Sequence, residues 1–253
     1  MVLKILHVAL FFYGGVGKVA LNLTKAFTRM GCEVILATSV RTPNELRELI
    51  KHYYVSYILS LREPFYSLQF YILNRERIRN IVRLEKPDVI LTHGPLALIA
   101  KDVYDVPLVS IVHGTYANEV KWMWSHPIFS FERTRYITGI YATHRLDTMI
   151  YRYVAKLNNV HLVAVSKNTK RELVEAGVQG NKVFPILNGV DKERFKPMNK
   201  DYAKALVEEM FKIRLGNKVL LHVNPGPIKG THILVKAVAM LKKIYGNDFT
   251  LLI

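Results

Sequence analysis

The chain has 253 residues, half of them hydrophobic, with a formal net charge of +16 and one cysteine, Cys32. This length allows one large or two modest domains, and the single cysteine excludes an internal disulfide and fits a reducing cytoplasm. The positive charge attracts anions in general, whether phosphorylated metabolites or an anionic membrane face, and no nucleic-acid-binding motif is visible.

Apolar runs of strand length alternate with amphipathic helical segments over the first 187 residues. The first run, within residues 2–12, contains Lys4 and His7 and is too short to cross a bilayer. Strands are predicted at residues 5–10, 34–38, 89–91, 108–112, 161–165 and 183–187, and helices at 16–30, 43–50, 65–84 and 166–176. Because the strands are apolar on both faces, the pattern predicts an α/β fold: a Rossmann-like parallel sheet with helices on both faces.

Two of these helices have clear terminal signals. Ser166 is expected to cap the helix at 166–176, and Gly31 to end the helix at 16–30. Three- and four-residue steps in the helix at 16–30 predict one buried face. Its members are Val16, Val19, Ala20, Leu23, Ala26, Phe27 and Met30.

A polar, proline-marked stretch at residues 188–200 interrupts the pattern and marks a domain boundary. It separates an N-terminal domain, residues 1–187, from a second region, residues 188–253. There, helices are predicted at 201–213 and 231–244, and strands at 219–223 and from Phe249. So few elements cannot form a complete α/β layer, so we expect the incomplete start of a second Rossmann-like domain.

A glycine-rich turn, residues 14–17, lies between the first predicted strand and helix. Glycines let the backbone approach a ligand, and the free amides and dipole of a helix N-terminus favour a phosphate. A P-loop would need a Ser or Thr directly after Lys18, where Val19 has no oxygen. A tight turn that binds no ligand is a further interpretation of these glycines.

The same turn also fits the glycine pattern of a dinucleotide-binding fold. Gly15, Gly17 and Ala20 satisfy that spacing, but an acidic residue is then expected at the end of the second strand. The residues at that strand end, 38–41, are Thr-Ser-Val-Arg, and Arg41 suits at best a 2′-phosphate of the cofactor. An NADP-binding Rossmann protein is therefore a less favoured interpretation.

Several motifs together resemble glycosyltransferase family 4, of the GT-B fold. Gly-Gly-Val at residues 14–16, with Gly-Cys-Glu-Val at 31–34, looks like the opening of that family. Residues 165–197 are similar to its passage from the acceptor to the donor domain; they contain Ser-Lys-Asn-Thr, Gly-Val, Asn-Gly-Val-Asp and a later Phe and Pro. The resemblance implies retaining transfer of a hexose from a nucleotide-diphosphate sugar to a hydroxyl acceptor, either a sugar or a lipid-linked molecule. No metal or other cofactor is expected, since no acidic pair with an aspartate-x-aspartate spacing is placed to hold a metal ion.

The resemblance also implies roles for particular residues. His113, after the strand at 108–112, would face the reaction centre, with a loop histidine that only satisfies backbone groups as the alternative. Donor phosphate would be bound by Gly14, Gly15 and Lys229. Four polar residues after His113 could bind an acceptor sugar, although an ordinary polar loop explains them equally well; they are Thr115, Tyr116, Asn118 and Glu119. For His93, at the end of the preceding strand, we favour the backbone-satisfying role.

Two departures from the family pattern favour an alternative function. Where the family has Gly-Arg shortly before Lys229-Gly230, this sequence reads Asn224-Pro225, which removes a bidentate phosphate contact. The downstream acidic pair of the family would fall beyond Ile253, so turnover by this chain alone is in question. The alternative is a non-catalytic GT-B-like module that binds a phosphorylated or glycan ligand.

Aromatic and basic residues are interleaved at residues 122–153, and four arginines lie in the helix at 65–84. This combination suits a membrane headgroup interface, although core packing beside a solvated face is the commoner explanation. The sequence therefore predicts a cytoplasmic protein, with the inner face of the membrane as a hypothesis for its site of action. A nucleic-acid partner is not expected.

Overall fold

The computed structural model describes residues 2–56, 66–125, 131–226, 229–246 and 248–253. Within these ranges the chain divides into two compact units, Met1–Asn188 and Gly189–Ile253. No helix in the described ranges is both long enough and apolar enough to cross a membrane.

The first unit is built on a parallel sheet in the order β3-β2-β1-β4-β5-β6-β7. Its strands are β1 (Lys4–Val8), β2 (Glu33–Thr38), β3 (Lys51–Tyr54), β4 (Val89–His93), β5 (Leu108–Val112), β6 (Val160–Ala164) and β7 (Val183–Pro185). Each pairing is parallel, so the predicted Rossmann-like sheet is confirmed. A further apolar stretch in the sequence, residues 53–59, begins within β3, and its residues from 57 onward lie outside the described part of the chain.

The helices of this unit are α1 (Gly14–Arg29), α2 (Asn44–Arg47), α3 (Tyr66–Glu85), α4 (Ala117–Ser125), α5 (Phe131–Val154) and α6 (Lys167–Glu175), with 3-10 turns at Gly94–Asp102 and Gly180–Lys182. Alternate strand residues point to opposite faces of a sheet, and both faces are covered here. Leu6 packs in a cluster with Phe70 of α3 and Tyr151 of α5. Ile5, on the other face, packs with Leu23 of α1.

The buried face of α1 matches the sequence prediction only in part, since Ala20 is buried and Leu23 and Phe27 pack against core residues of the sheet. Gly17, Ala20 and Thr24 are its buried residues, whereas Met30 is 75% exposed. A methyl group added at Gly17 would lie 2.6 Å from the carbonyl carbon of Phe12, so only glycine fits there without a shift of the backbone. Small residues therefore face the sheet and let α1 approach it closely.

Two helices were not predicted from the pattern, α4 and α5. The end of α4 and nearly all of α5 lie in the aromatic and basic segment at residues 122–153, where interleaved aromatic and basic residues obscure the helical period. The side chains of residues 122–137 lie outside the described part of the structure, so the membrane hypothesis for that stretch is not addressed by it.

The second unit contains α7 (Lys200–Phe211), β8 (Lys218–Leu221), α8 (Thr231–Tyr245) and β9 (Phe249–Leu252). All four match elements predicted from the sequence, and β8 pairs in parallel with β9. Among the described hydrophobic residues of this unit, only Leu215 is buried. A two-stranded sheet with two helices offers too little apolar surface for a core of its own.

Candidate functional site

A cavity of about 410 Å³ lies at the carboxyl edge of the sheet in the first unit. The strand order changes direction between β1 and β4, and open parallel sheets bind ligands at the carboxyl ends of strands beside such a point. The cavity is lined by residues from the ends of β4 and β5 and from α1, α4, α5 and α6. The fold thus brings together segments that are far apart in the sequence.

His113 directly follows β5 and lines this cavity, as the sequence predicted for a residue past a strand end. Burial lowers the pKa of His113 below its ordinary value, so the imidazole is neutral at pH 7. Its Nε2 atom lies 2.9 Å from Nδ1 of His93. Its Nδ1 atom makes no hydrogen bond to any residue that the structure describes.

His93 belongs to a row of three hydrogen-bonded histidines, and the expectation that it satisfies loop backbone groups is wrong. His93 Nε2 lies 2.9 Å from Nε2 of His7 on β1, and His7 Nδ1 lies 2.9 Å from Oγ1 of Thr24 on α1. The strand register explains the row. His7 pairs with Leu91, and His93 lies two residues beyond Leu91 on β4. His93 pairs with Ile111, and His113 lies two residues beyond Ile111.

All three histidines are therefore on the face of the sheet that α1 covers. His7 is fully buried, and burial lowers its pKa to about 3. The pKa of His93 is held well below its ordinary value, first by burial and then by the neighbouring imidazoles of His7 and His113. The row is uncharged at neutral pH, so each ring carries one proton.

The glycine turn reaches the same cavity through Val16, which lines it together with His113. Gly14 has a φ of +68° and Tyr13 before it makes no side-chain cap, so the first amides of α1 have no capping side chain. Nothing lies within 4 Å of a methyl group built at Gly14 or at Gly15. The space beside these residues is open to a ligand, whereas Gly17 serves packing.

The four polar residues after His113 all line the cavity, and a fifth residue organises two of them. Thr115 Oγ1 donates a hydrogen bond to Glu172 of α6 at 2.6 Å, and Asn118 Nδ2 donates to the same carboxylate at 2.8 Å. Tyr116 between them has a φ of +58°, a strained conformation for a non-glycine residue that occurs preferentially at functional sites.

Sequence reasoning missed Glu172. The residue lies in the motif-rich segment at 165–197, which is the one signal that could have pointed to it. Its contact with residues 115–118 depends on the packing of α6 against β6 and β7, which no local pattern encodes.

Lys229 lies in the second unit and is exposed. Its amide donates to the carbonyl oxygen of Gly226 at 3.1 Å, and Gly230 after it has a φ of +72° at the start of α8. Lys229 and Gly230 thus stand directly before a helix N-terminus, and the amides of a helix N-terminus suit a phosphate. The role of Lys229 in donor binding stays a prediction, as do those of the other predicted site residues. Across the described residues, no group of three or more His, Cys, Asp or Glu side chains could hold a metal ion.

The sequence model described as Glycosyltransferase Family 4 matches residues 13–194. No curated protein sequence matches the chain significantly. Among solved structures, HepE from Anabaena in complex with UDP and glucose superposes with a TM-score of 0.65 at 18% identity, over 94% of this chain and 58% of its own. Sucrose-phosphate synthase from Thermosynechococcus elongatus gives a TM-score of 0.69 at 14% identity, over 94% of this chain and 60% of its own.

A glycosyltransferase from Rickettsia africae gives a TM-score of 0.64 at 19% identity, over 99% of this chain and 59% of its own. At these identities the likeness establishes the shared fold. The chain spans about three fifths of the length of these solved proteins.

Proposed function

Because the chain belongs to glycosyltransferase family 4, we propose that it acts in the transfer of a sugar from a nucleotide-diphosphate sugar to a hydroxyl acceptor, with retention at the anomeric carbon. The observation that carries this proposal is one cavity in which His113, the start of α1 and a cluster of polar side chains meet. An anion site beside a set of hydroxyl-binding groups is the combination that such a transfer needs.

The donor is proposed to place its diphosphate against the first amides of α1, at Gly14 and Gly15. Unpaired amides and the positive end of the helix dipole favour negative charge, and the net charge of +16 raises the local concentration of anions. Lys229, in the second unit, is likewise proposed to bind donor phosphate. The HepE structure holds UDP and glucose, which favours a uridine nucleotide as the first donor to test.

The acceptor is proposed to bind at Thr115, Tyr116, Asn118 and Glu119, with Glu172 as an additional member of the group. Hydroxyl, amide and carboxylate groups at this wall of the cavity match the hydroxyls of a sugar or of a lipid-linked sugar. The carboxylate of Glu172 orients Thr115 and Asn118 by accepting a hydrogen bond from each.

In the proposed reaction the bond between the anomeric carbon and the diphosphate oxygen breaks, and its electron pair leaves with that oxygen. The acceptor oxygen forms the new bond to the same face of the anomeric carbon and loses its proton, which departs with the nucleoside diphosphate. Charge that develops on the diphosphate would be opposed by the α1 amides. His113 would stand at the reacting centre. No metal or other cofactor is part of the proposal.

We also propose contact with an anionic membrane surface on the cytoplasmic side, supported by the outer face of α3. Ile72 is 68% exposed there, and Leu73 is exposed beside it. Arg75, Arg77 and Arg83 are exposed on the same helix. Apolar and basic side chains on one exposed helix suit the headgroup region of a bilayer.

A module that binds the same ligands without turnover is the second candidate, favoured by Asn224-Pro225 where the family has Gly-Arg. Isothermal titration with UDP and an assay of UDP release from UDP-glucose, with and without glycan acceptors, separate the two. Acceptor-dependent release supports the transferase, and binding without release supports the module. Binding of NADP in place of UDP would contradict both.

Replacement of His113 by Ala is expected to lower acceptor-dependent release at least tenfold, since a group at the reacting centre contributes more to the transition state than to the ground state. His161→Ala is the matched control, because His161 is an exposed histidine on β6 away from the cavity lining. An equal loss in both variants would show a general effect on folding and would count against a role of His113.

A further inference from the structure

The histidine row has a direction, because each neutral imidazole donates one hydrogen bond and accepts one. The row consists of Thr24, His7, His93 and His113, joined in that order by three contacts of 2.9 Å. Two directions of donation are compatible with these distances. They leave His113 with opposite groups on the cavity side, either a lone pair or an N–H at Nδ1.

Thr24 decides between the two directions. Its Oγ1 atom lies 3.0 Å from the carbonyl oxygen of Ala20, one turn earlier on α1. A carbonyl oxygen can only accept, so the hydroxyl donates to Ala20 and accepts from His7 Nδ1. In the opposite direction the hydroxyl would donate to His7 and give up the bond to Ala20. The first direction therefore makes one hydrogen bond more, which corresponds to about a fivefold preference.

The choice made at Thr24 passes along the row. With its proton on Nδ1, His7 accepts at Nε2 from the Nε2–H of His93. His93 then accepts at Nδ1 from the Nε2–H of His113. His113 is left with an unprotonated Nδ1 on the cavity side.

We infer that His93, His7 and Thr24 are positioning residues that hold His113 in its Nε2–H tautomer, so that Nδ1 accepts a hydrogen bond from a ligand hydroxyl in the cavity. The partner assigned to His113 is thus a hydroxyl group and not a phosphate oxygen, which has no proton to donate. The identity of that hydroxyl, on the transferred sugar or on the acceptor, rests on the proposed function. The tautomer itself does not.

The row orients His113 and does not carry a proton inward. Such a transfer would end with a positive charge on His7, which is fully buried and whose pKa is lowered to about 3. Among the residues that the structure describes, the only other polar side chain bonded to His7 is that of Thr24, whose hydroxyl already donates to Ala20. A proton taken up at the cavity therefore stays on His113.

The test is the tautomer of His113 in the chain labelled with ¹⁵N-histidine, read at pH 7 from long-range proton–nitrogen correlations without any ligand. His113→Gln assigns the signal. The expected result is a downfield, unprotonated Nδ1 and a protonated Nε2. A protonated Nδ1 in the unsubstituted chain would overturn the inference, whether or not the chain transfers a sugar.

Two substitutions at Thr24 provide the matched pair. Thr24→Ser keeps the hydroxyl and is expected to keep the Nε2–H tautomer of His113. Thr24→Val keeps the shape but removes the hydroxyl, so the fivefold preference is lost and the Nδ1 signal moves toward the average of the two tautomers. An unchanged His113 spectrum in a folded Thr24→Val chain would contradict the role of Thr24. If that variant does not fold, the spectra of the unsubstituted and Thr24→Ser chains still decide.

Discussion

At the scale of single residues, glycines set the position of the turn before α1 because they have no side chain. Gly17 is the point where α1 touches the backbone of residues 11 and 12, and an added methyl group there would lie 2.6 to 2.9 Å from three backbone atoms. A methyl group built on Gly15, two residues earlier, has no atom within 4 Å. Neighbouring glycines of one motif thus have separate tasks, since Gly17 serves close packing and Gly15 lies open beside the candidate anion site.

Gly17→Ala is expected to destabilise the first unit by about 1–3 kcal/mol, because fixed backbone atoms must move to admit the methyl group. Gly15→Ala is the control; alanine in the first turn of a helix changes the free energy of unfolding by less than about 1 kcal/mol. Urea denaturation followed by circular dichroism measures both. Equal midpoints for the two variants would show that the backbone of residues 11 and 12 can shift at little cost in free energy, and would contradict the prediction.

The buried imidazole of His7 makes stability depend on pH. Its folded pKa, about 3, lies below the ordinary value of 6.5, so between these limits the unfolded chain binds more protons than the folded one. The free energy of unfolding therefore falls as the pH drops below 6.5, by about 1.4 kcal/mol per pH unit for this group. His93, the titratable group that faces it, adds in the same direction.

Denaturation midpoints at pH 7.5 and pH 5 test this dependence. His7→Gln keeps a group that can bond to His93 but cannot take up a proton in this range, so the stability lost between the two pH values is expected to shrink by roughly 2 kcal/mol. His161→Gln, at an exposed position, is expected to leave the pH dependence unchanged. An identical dependence in the His7 variant and the unsubstituted chain would contradict the assignment.

At the scale of elements, α6 supports the wall of the cavity. Ser166 caps this helix by accepting from the Thr169 amide at 2.9 Å, as the sequence predicted. Two turns further on, Glu172 accepts hydrogen bonds from Thr115 and Asn118. A helix that packs against β6 and β7 thereby holds the segment between β5 and α4.

Glu172→Ala is expected to raise the KM for the acceptor about tenfold and to leave the KM for the donor unchanged, because the lost carboxylate removes charge-assisted hydrogen bonds only at the proposed acceptor wall. Glu175→Ala is the control, since Glu175 is an exposed residue of the same helix whose carboxylate is paired with Arg171. Initial rates with each substrate varied in turn provide the measurement. A rise in both KM values would instead point to a general disturbance of the cavity.

At the scale of the whole molecule, the net charge of +16 comes from basic residues spread along the chain, and most of them lie outside the candidate anion site. Surface charges separated by more than about 10 Å act independently at moderate salt, so the arginines of α3 contribute to a local field of their own. Association with an anionic surface would use that field together with the exposed Ile72 and Leu73.

Sedimentation with vesicles that contain anionic lipid tests this association. Arg77→Glu combined with Arg83→Glu is expected to reduce the bound fraction several-fold at low salt, since each basic residue near an anionic surface contributes about 1 kcal/mol. The control is Lys192→Glu combined with Lys196→Glu, at exposed positions of the second unit, because this variant has the same net charge as the double arginine variant. Equal losses for the two pairs would show attraction by net charge alone, and no binding by the unsubstituted chain would remove the hypothesis.

Local patterns in the sequence were sufficient for the parallel sheet and for most helices, because apolar period and terminal signals act within a few residues. The strand at Leu108–Val112 and the cap at Ser166 were predicted to the residue. The buried face of α1 was predicted only in part, since Gly17 and Thr24 are buried there through the close approach of the helix to the sheet. The helices α4 and α5 were missed because their mixed aromatic and basic residues carry no clear period.

The sequence by itself determined the fold class, the glycine turn at the start of α1 and the position of His113 at a strand end. Only the tertiary structure decided which residues meet there: the order of β1, β4 and β5 places His7, His93 and His113 in one row, and α6 brings Glu172 to the same cavity. The physical reason is the separation along the chain over which each kind of interaction acts. Backbone conformation is selected by neighbours in the chain, whereas a hydrogen bond between residues 86 positions apart exists only after strands from separate segments have paired.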